Sequence, residues 1–207
     1  MNSNIALLEE YLPENTASGV WDFIEKHHVK FRIAKPRKSK LGDYRPPQNG
    51  FGHRISINAD LNPYAFLLTV LHEFAHLTAW VKYKNRIKPH GSEWKLEFRD
   101  IINPYLSKGV FPEKVKNALE NYMSNPAASS CVDHNLARAL SGFDASDTLF
   151  VEDLPIGATF KLANGLVFEK GERLRKRYRC KCLTNKKWYY VSPSANVTPL
   201  NSQTSLF

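Results

Sequence analysis

Hydrophobic and polar positions follow helical spacing near the start of the chain and then alternate. Apolar residues at helical spacing predict two short helices over residues 5–11 and 19–28. Alternation predicts half-buried strands over residues 29–34 and 53–58, with a shorter strand over residues 41–45. This part of the chain is therefore expected to place a short sheet among helices.

A long helix is predicted next. Asn62 is a favourable N-cap, Pro63 suits the first helical position, and the apolar spacing continues to about Tyr83. Two further helices are predicted over residues 92–105 and 112–122. The long helix is the best-defined element of the pattern, because its start is marked as clearly as its apolar face.

The pattern changes to β in the last quarter of the chain. Alternating residues lead into Asn164 and Gly165, a pair typical of tight hairpins, and further strands are predicted over residues 166–169, 173–183 and 187–192. The predicted fold class is α+β.

Three segments follow from these changes in pattern. Residues 1–125 are expected to form the α+β domain, residues 126–157 a linker, and residues 158–207 a small basic β domain.

Composition narrows the class of protein. The 207 residues are 43% hydrophobic and 24% charged, which is typical of a folded globular chain. The longest apolar run, residues 65–71, is too short to span a membrane, and the first residues do not form a secretory signal. Three cysteines are too few for a disulfide framework, so a cytoplasmic location is expected.

The net charge of +9 is concentrated in two segments. Residues 26–45 carry eight basic side chains and one acidic one, and residues 161–190 carry ten basic and two acidic ones. Clustered positive charge attracts polyanions, which makes nucleic acid, either DNA or RNA, a candidate partner. The alternative interpretation is a solvated strand face that keeps the protein in solution.

Nucleic-acid contact is predicted at the basic strand of the second segment. Trp188, Tyr189 and Tyr190 follow closely and are suited to stacking on bases, although placement of Trp188 and Tyr190 in the core of the small domain is the favoured interpretation. The candidate contact residues are Arg173, Arg175, Lys176, Arg177, Arg179 and Lys181.

The long helix contains a pattern that carries chemistry, H-E-x-x-H, over His72, Glu73 and His76. Residues four apart lie on one helical face, so both imidazoles can reach one metal ion. Glu73 can lean over the same edge without binding the ion and act on a water molecule there. The alternative is one histidine satisfied within the fold and one exposed.

A catalytic zinc ion usually takes three protein ligands. The variant of the motif with a histidine six residues after His76 is absent, because position 82 is lysine. His90, Glu93 and Glu97 remain as candidates for the third ligand, and their spacing only modestly favours His90.

These motifs, H-E-F-A-H at residues 72–76 and H-G-S-E-W at residues 90–94, resemble the SprT-like (Spartan-like) metalloprotease family. The resemblance covers about residues 29–106. It implies a minimal zincin-like protease domain, a short sheet plus an active-site helix, with one catalytic Zn²⁺ held by His72, His76 and His90, and with Glu73 as catalytic base. Eukaryotic members act on proteins crosslinked to DNA, whereas many bacterial members have no assigned substrate.

The end of the chain departs from the family pattern. Members often carry a zinc ribbon with two cysteine pairs, whereas this chain has only Cys180 and Cys182 there. Residues two apart in a strand face the same side, so both thiols are expected in the core of a ribbon-like domain that lacks a complete zinc ribbon. The less favoured alternative is a second metal ion bound by these two cysteines together with Cys131 and His134.

The predicted function is a zinc-dependent endopeptidase that acts on protein or peptide substrates. Tyr44, His53 and Tyr83 are candidates to stabilise the oxyanion, and the strand over residues 53–58 is expected at a sheet edge where a substrate peptide can pair. One rival is a non-enzymatic nucleic-acid-binding protein with a structural metal. Another is a metal-dependent hydrolase that acts on something other than peptides.

Overall fold

A computed structural model describes four stretches of the chain: residues 3–37, 39–123, 133–144 and 149–200. The chain divides into two compact units, Met1–Ala145 and Ser146–Phe207. The described residues contain α-helices and two sheets, so the predicted α+β class is confirmed.

The first unit contains the helices and the smaller sheet. Its helices are α1 (Ser3–Glu9), α2 (Ala17–Lys26), α3 (Pro63–Tyr83), α4 (Ser92–Ser107), α5 (Glu113–Met123) and α6 (His134–Ser141). Its strands are β1 (Lys30–Ala34), β2 (Gly42–Arg45) and β3 (Arg54–Asn58).

The three strands are ordered β1-β3-β2. β3 runs parallel to β1 and antiparallel to β2, so it lies in the centre of the sheet. The prediction that this strand forms an edge is therefore wrong. After β1 the chain forms β2 at the opposite edge of the sheet, and β3 then fills the gap between them. A local sequence pattern does not reveal this strand order. β2 is the edge strand next to α3.

The core of the first unit is built around α3. Asn62 accepts a hydrogen bond from the Ala65 backbone N–H, as expected of an N-cap, and Pro63 opens the helix. Side chains such as Phe66, Val70 and Phe74 are almost completely buried, with Ile55 and Ile57 of β3 in the same core. No helix of the described ranges is both long and apolar enough to cross a membrane.

Helix α6 lies within residues 126–157, the segment predicted as a linker. Asp133 caps this helix by accepting from the Leu136 N–H, and Leu136 and Leu140 are buried in the core of the first unit. The side-chain amide of Asn62 also donates to the Leu140 carbonyl. Two leucines four residues apart lie on one helical face, which is enough to hold this short helix against the core.

The second unit is a six-stranded sheet of order β4-β9-β5-β6-β7-β8. Each pair of neighbouring strands is antiparallel, and a 3₁₀ turn, Val151–Asp153, follows β4. The strands are β4 (Leu149–Phe150), β5 (Thr159–Leu162), β6 (Val167–Glu169), β7 (Tyr178–Cys182), β8 (Trp188–Val191) and β9 (Asn196–Pro199).

The basic strand predicted over residues 173–183 is shorter than expected. Only Tyr178–Cys182 forms a strand, and a turn precedes it, closed by a hydrogen bond from the Leu174 N–H to the Arg177 carbonyl. Cys180 and Cys182 are completely buried in the core, as predicted. The two thiols therefore pack as small apolar groups.

Trp188 and Tyr190 contradict the favoured prediction that they form the core of this unit. They are 53% and 60% exposed, respectively. In the register between β7 and β8, Cys180 lies opposite Tyr189, so Tyr189 shares the inward face and its two neighbours face outward.

Candidate functional site

The site begins on α3, where His72 and His76 lie one turn apart. Both side chains are half-buried, and their imidazole rings have centroids 4.9 Å apart. Each ring directs its Nε2 atom toward the other, at 3.2 Å. The i, i+4 spacing of the motif thus brings two nitrogen donors to one point, as the sequence predicted.

His90 completes the cluster from the turn before α4. Its backbone adopts a left-handed conformation, with φ of +57°, which is uncommon for any residue other than glycine. Gly91 follows at the N-cap, where an added Cβ would lie 3.0 Å from the Lys88 carbonyl oxygen. A side chain at position 91 would thus crowd the turn that carries the His90 ring to α3.

The three Nε2 atoms form a compact triangle. His90 Nε2 lies 2.9 Å from His76 Nε2 and 3.2 Å from His72 Nε2. In a tetrahedral zinc site with Zn–N bonds of about 2.0–2.1 Å, nitrogen ligands lie about 3.3 Å apart. Among the described residues this is the group of histidine, cysteine and carboxylate side chains that could together hold a metal ion. The residues present therefore fit a metal ion.

Burial keeps these imidazoles neutral. Burial, followed by the neighbouring His76 and His90, lowers the pKa of His72 to about 2, and burial followed by His90 lowers the pKa of His76 to about 4. Trp94 forms an apolar wall against all three rings, with centroid separations of 4.7, 5.3 and 4.7 Å. Neutral imidazole is the form that binds metal ions.

Glu73 is buried on the side of α3 that faces β2. Burial raises its pKa to about 8, while a hydrogen bond from the Tyr44 backbone N–H opposes that rise. Its side chain is only 6% exposed, in contrast to the half-buried histidines that flank it. Glu73 therefore packs against β2 while it stands directly after His72 on the helix that carries the nitrogen cluster.

Gly42 is a site residue that the sequence analysis missed. A Cβ at this position would lie 2.5 Å from Glu73 Oε1 and 2.8 Å from Thr69 Cγ2. Only glycine lets β2 approach α3 this closely. No local pattern marks this glycine, because the contact depends on the packing of a strand against a helix.

A cleft of about 250 Å³ opens beside the cluster, and His76, His90 and Tyr44 are among its lining residues. The Tyr44 hydroxyl is hydrogen-bonded to His53 Nδ1 at 2.9 Å, and burial raises the pKa of Tyr44. Of the three oxyanion candidates, His53 and Tyr83 do not line this cleft. Tyr44 therefore presents a protonated hydroxyl near the cluster.

The two carboxylates considered as third ligands lie elsewhere. Glu97 is buried and forms an ion pair of 2.7 Å with Lys82, whereas Glu93 accepts a hydrogen bond from Ser92. Neither belongs to the histidine cluster. The geometry therefore favours His90 among the alternatives that spacing left open.

The predicted nucleic-acid contacts are all exposed on the second unit, but they do not form one strand. Arg179 and Lys181 lie on the outward face of β7, opposite Tyr190 and Trp188, respectively. The Arg179 guanidinium lies 4.3 Å from the centre of the Trp188 ring. The other four belong to the segment before β7, which the structure places in and around the turn: Arg173, Arg175, Lys176 and Arg177.

Three of the four candidate ligands of the alternative second metal site lie within the described residues. Cys131 lies outside the described residues, and His134 starts α6 in the first unit. Cys180 and Cys182 point into the core of the second unit and belong to no metal-ligand group of the described residues.

The model of the SprT-like family matches residues 7–116, which is more than half of the chain. The matched residues include the three histidines, Glu73, Gly42 and Tyr44, and they end before the second unit begins. No curated protein and no solved structure gives a match.

Proposed function

The chain belongs to the SprT-like family, and from that premise we propose that it is a zinc-dependent endopeptidase with a zincin-like catalytic unit. The observation that carries the proposal is the triangle of Nε2 atoms from His72, His76 and His90. The described residues supply no fourth protein ligand to this group. Three protein ligands and one open position are typical of catalytic zinc, whereas structural zinc is closed by four.

The three imidazoles would hold the ion through their Nε2 atoms. When bound, zinc supplies the Lewis acidity that makes water a nucleophile near neutral pH and polarises the scissile carbonyl. The protein contributes a rigid geometry, because Trp94 packs against every ring of the cluster.

Glu73 is the proposed general base. Its carboxylate removes a proton from the attacking water and then delivers that proton to the leaving amine. Burial raises the pKa of this carboxyl group in the metal-free chain, so Glu73 holds a proton more tightly than an exposed glutamate would, as a group that accepts a proton from water requires. Gly42 and the Tyr44 N–H hold the carboxyl group in place.

The Tyr44 hydroxyl is proposed to stabilise the oxyanion. It lines the cleft together with His76 and His90, and its raised pKa keeps its proton available for donation. A positioned hydrogen-bond donor of this kind stabilises the charge that develops on the carbonyl oxygen.

The substrate is proposed to be an extended peptide that pairs with β2. This strand has a partner on one side only, and it carries both Gly42 and Tyr44 beside the catalytic elements. An exposed strand edge binds extended peptides through main-chain hydrogen bonds. β3 cannot serve in this role, because both of its edges are already paired.

The test compares wild type with Glu73→Gln and measures zinc content and cleavage of unfolded casein side by side. The proposal expects about one zinc per chain in both proteins and a loss of about 10²–10⁴-fold in kcat for the variant. Full cleavage by Glu73→Gln would remove this residue from the mechanism. Equal zinc content with no cleavage by wild type, across casein and histone substrates, would instead favour the non-enzymatic alternative.

We also propose that the substrates include proteins bound to DNA, which the second unit contacts. The support is an exposed face on which Arg179 and Lys181 lie beside Trp188 and Tyr190. A cationic surface with accessible aromatic rings suits single-stranded nucleic acid. Neutralising Arg175, Arg177 and Arg179 together should weaken DNA binding and flatten its salt dependence, and an unchanged affinity would discard this surface.

A further inference from the structure

A row of like charges crosses the sheet of the first unit on the face away from its core. Lys30 of β1, Arg54 of β3 and Arg45 of β2 are direct register partners. Neighbouring strands are about 4.8 Å apart, so these three cations lie side by side across the full width of the sheet. Like charges directly opposite one another destabilise a sheet. A second set of charges would offset this repulsion.

The protein supplies little of that opposite charge itself. Asp43 is the one carboxylate among the residues that line the groove on this face, and it is already bound by Lys40 and Arg45 at 2.7 and 2.8 Å. Within the described residues, neither Lys30 nor Arg32 forms an ion pair. The lining therefore has five cations against one anion.

Two of the guanidinium groups are held in place. Arg37 donates from Nε to Asn58 Oδ1 at 2.8 Å and from Nη1 to Ser56 Oγ at 2.9 Å. Arg54 donates from Nη2 to the Pro46 carbonyl, while its Nε is buried without a hydrogen-bond partner in the described part of the chain. A buried donor without an acceptor is costly, and an incoming anion can satisfy it.

An aromatic ring completes the groove, which has a volume of about 320 Å³. Phe51 lines it with a side chain that is 57% exposed, and the Arg54 guanidinium lies 5.2 Å from the ring centre. A large apolar side chain that remains exposed between cations suits a ligand that combines phosphate groups with flat bases.

We propose that this groove binds a single strand of nucleic acid, with its phosphates on the cationic row and a base stacked on Phe51. Guanidinium groups recognise phosphate oxygens through paired hydrogen bonds, whereas lysine provides a point charge. The exposed ring favours nucleic acid over an acidic peptide, which would use only the charges. The surface is separate from the metal centre, so its test requires no cleavage.

The first experiment measures binding of fluorescent dT20 and U20 to the full chain by anisotropy at several salt concentrations. Lys30→Gln combined with Arg32→Gln should weaken binding several-fold and make the slope of log K against log salt shallower by about 1.4. The matched control is Lys108→Gln with Lys114→Gln, which removes two exposed charges of the same unit outside the groove. The control should leave that slope almost unchanged.

The second experiment removes only the aromatic ring. Phe51→Ala should weaken dT20 or U20 binding by at least about fivefold, because the stacking of a base is lost. The salt slope should not change, because every phosphate contact remains. The oligonucleotide that shows the larger change identifies which nucleic acid the groove prefers. Both experiments are repeated with Arg177→Gln and Arg179→Gln, where the effects of the groove should persist.

Three results would overturn the proposal. One is a salt slope that changes equally in the groove variant and in its control. Another is the disappearance of the groove effects when Arg177 and Arg179 are neutralised. The third is binding of polyglutamate as tight as that of dT20, with no effect of Phe51→Ala on either ligand, since this would identify a general site for acidic chains.

Discussion

The two faces of the three-stranded sheet present opposite chemistry. On the side toward α3, Gly42 and Tyr44 contact a buried carboxyl group and approach neutral, half-buried imidazoles. On the other side, Lys30, Arg45 and Arg54 form a cationic row bordering a groove open to solvent. Both faces are formed by alternate residues of the same strands, because successive residues of a strand point to opposite sides of the sheet.

This separation implies that the two faces can be changed independently. Substitutions toward α3 should alter zinc binding or cleavage and leave nucleic-acid binding unchanged, whereas substitutions on the cationic face should do the reverse. Residues of the two faces that share no partners are expected to have nearly additive effects.

The largest effect is expected for His90→Ala. Removing one of three imidazoles should reduce the zinc content from about one per chain to nearly none after dialysis and reduce cleavage to background. Glu93→Gln is the matched control, because Glu93 lies on the same turn of chain but outside the cluster. Zinc content by mass spectrometry decides the outcome. Retention of zinc by His90→Ala, with loss in the control, would reverse the assignment of the third ligand.

Tyr44→Phe should produce the next largest effect. The loss of a single oxyanion donor typically reduces kcat by about 10²–10³-fold. Zinc content and nucleic-acid binding should not change, since the ring and its packing remain. Tyr83→Phe, which removes a hydroxyl that does not line the cleft, should cleave like wild type. Steady-state cleavage of a fluorogenic peptide measures both, and equal rates for both variants would exclude Tyr44 from this role.

Gly42→Ala tests how closely the sheet must approach the helix. The added methyl group would lie within 2.8 Å of both the Glu73 and Thr69 side chains, so one element must move. A misplacement of about 1 Å in a catalytic group can cost about 10²-fold in rate. Gly50→Ala is a poor control because its φ is positive, whereas Gly19→Ala meets only the Tyr105 hydroxyl, at 3.6 Å. Full activity in Gly42→Ala would show that Glu73 tolerates displacement.

The smallest effect concerns stability of the metal-free protein. His72 and His76 have native pKa values of about 2 and about 4, below the ordinary 6.5. Between each native pKa and pH 6.5, the histidine is protonated in the unfolded chain and neutral in the folded chain. Each histidine therefore lowers the free energy of unfolding by about 1.4 kcal/mol for every unit by which the pH falls within that interval. Glu73 acts in the opposite sense, because its native pKa of about 8 exceeds the ordinary 4.5.

Between pH 6.5 and pH 4.5 the Glu73 contribution thus cancels that of one histidine. Replacing this residue in Glu73→Gln should steepen the acid loss of stability by about 1.4 kcal/mol per pH unit, whereas Lys30→Gln with Arg32→Gln should not. Urea unfolding of chelator-treated protein between pH 7 and pH 5 provides the measurement. Parallel curves for wild type and Glu73→Gln would contradict the buried, protonated carboxyl group.

The part of the site that lies within one helix could be predicted from the sequence. Asn62, Pro63 and the apolar spacing locate α3, and the motif then places His72 and His76 on one face. The position of His90 could not be predicted from spacing alone, since it depends on a left-handed backbone at a residue that rarely adopts one. The family resemblance supplied this residue.

Properties that depend on register and strand order were beyond the sequence. β3 was expected at an edge and lies in the centre. Its position depends on β2 pairing with the side of β3 opposite to β1, which no local pattern indicates. Trp188 and Tyr190 were expected inside and lie outside, since their facing depends on how β8 pairs with β7. Gly42 required knowledge of the contact between β2 and α3.

The most direct test of the proposed metal centre is X-ray absorption at the zinc edge of the purified full chain. Three imidazoles from His72, His76 and His90 predict three nitrogen neighbours and one oxygen neighbour at about 2.0–2.1 Å, with no sulfur. A spectrum with sulfur ligands, or with a fourth protein side chain closing the coordination shell, would contradict an open catalytic site.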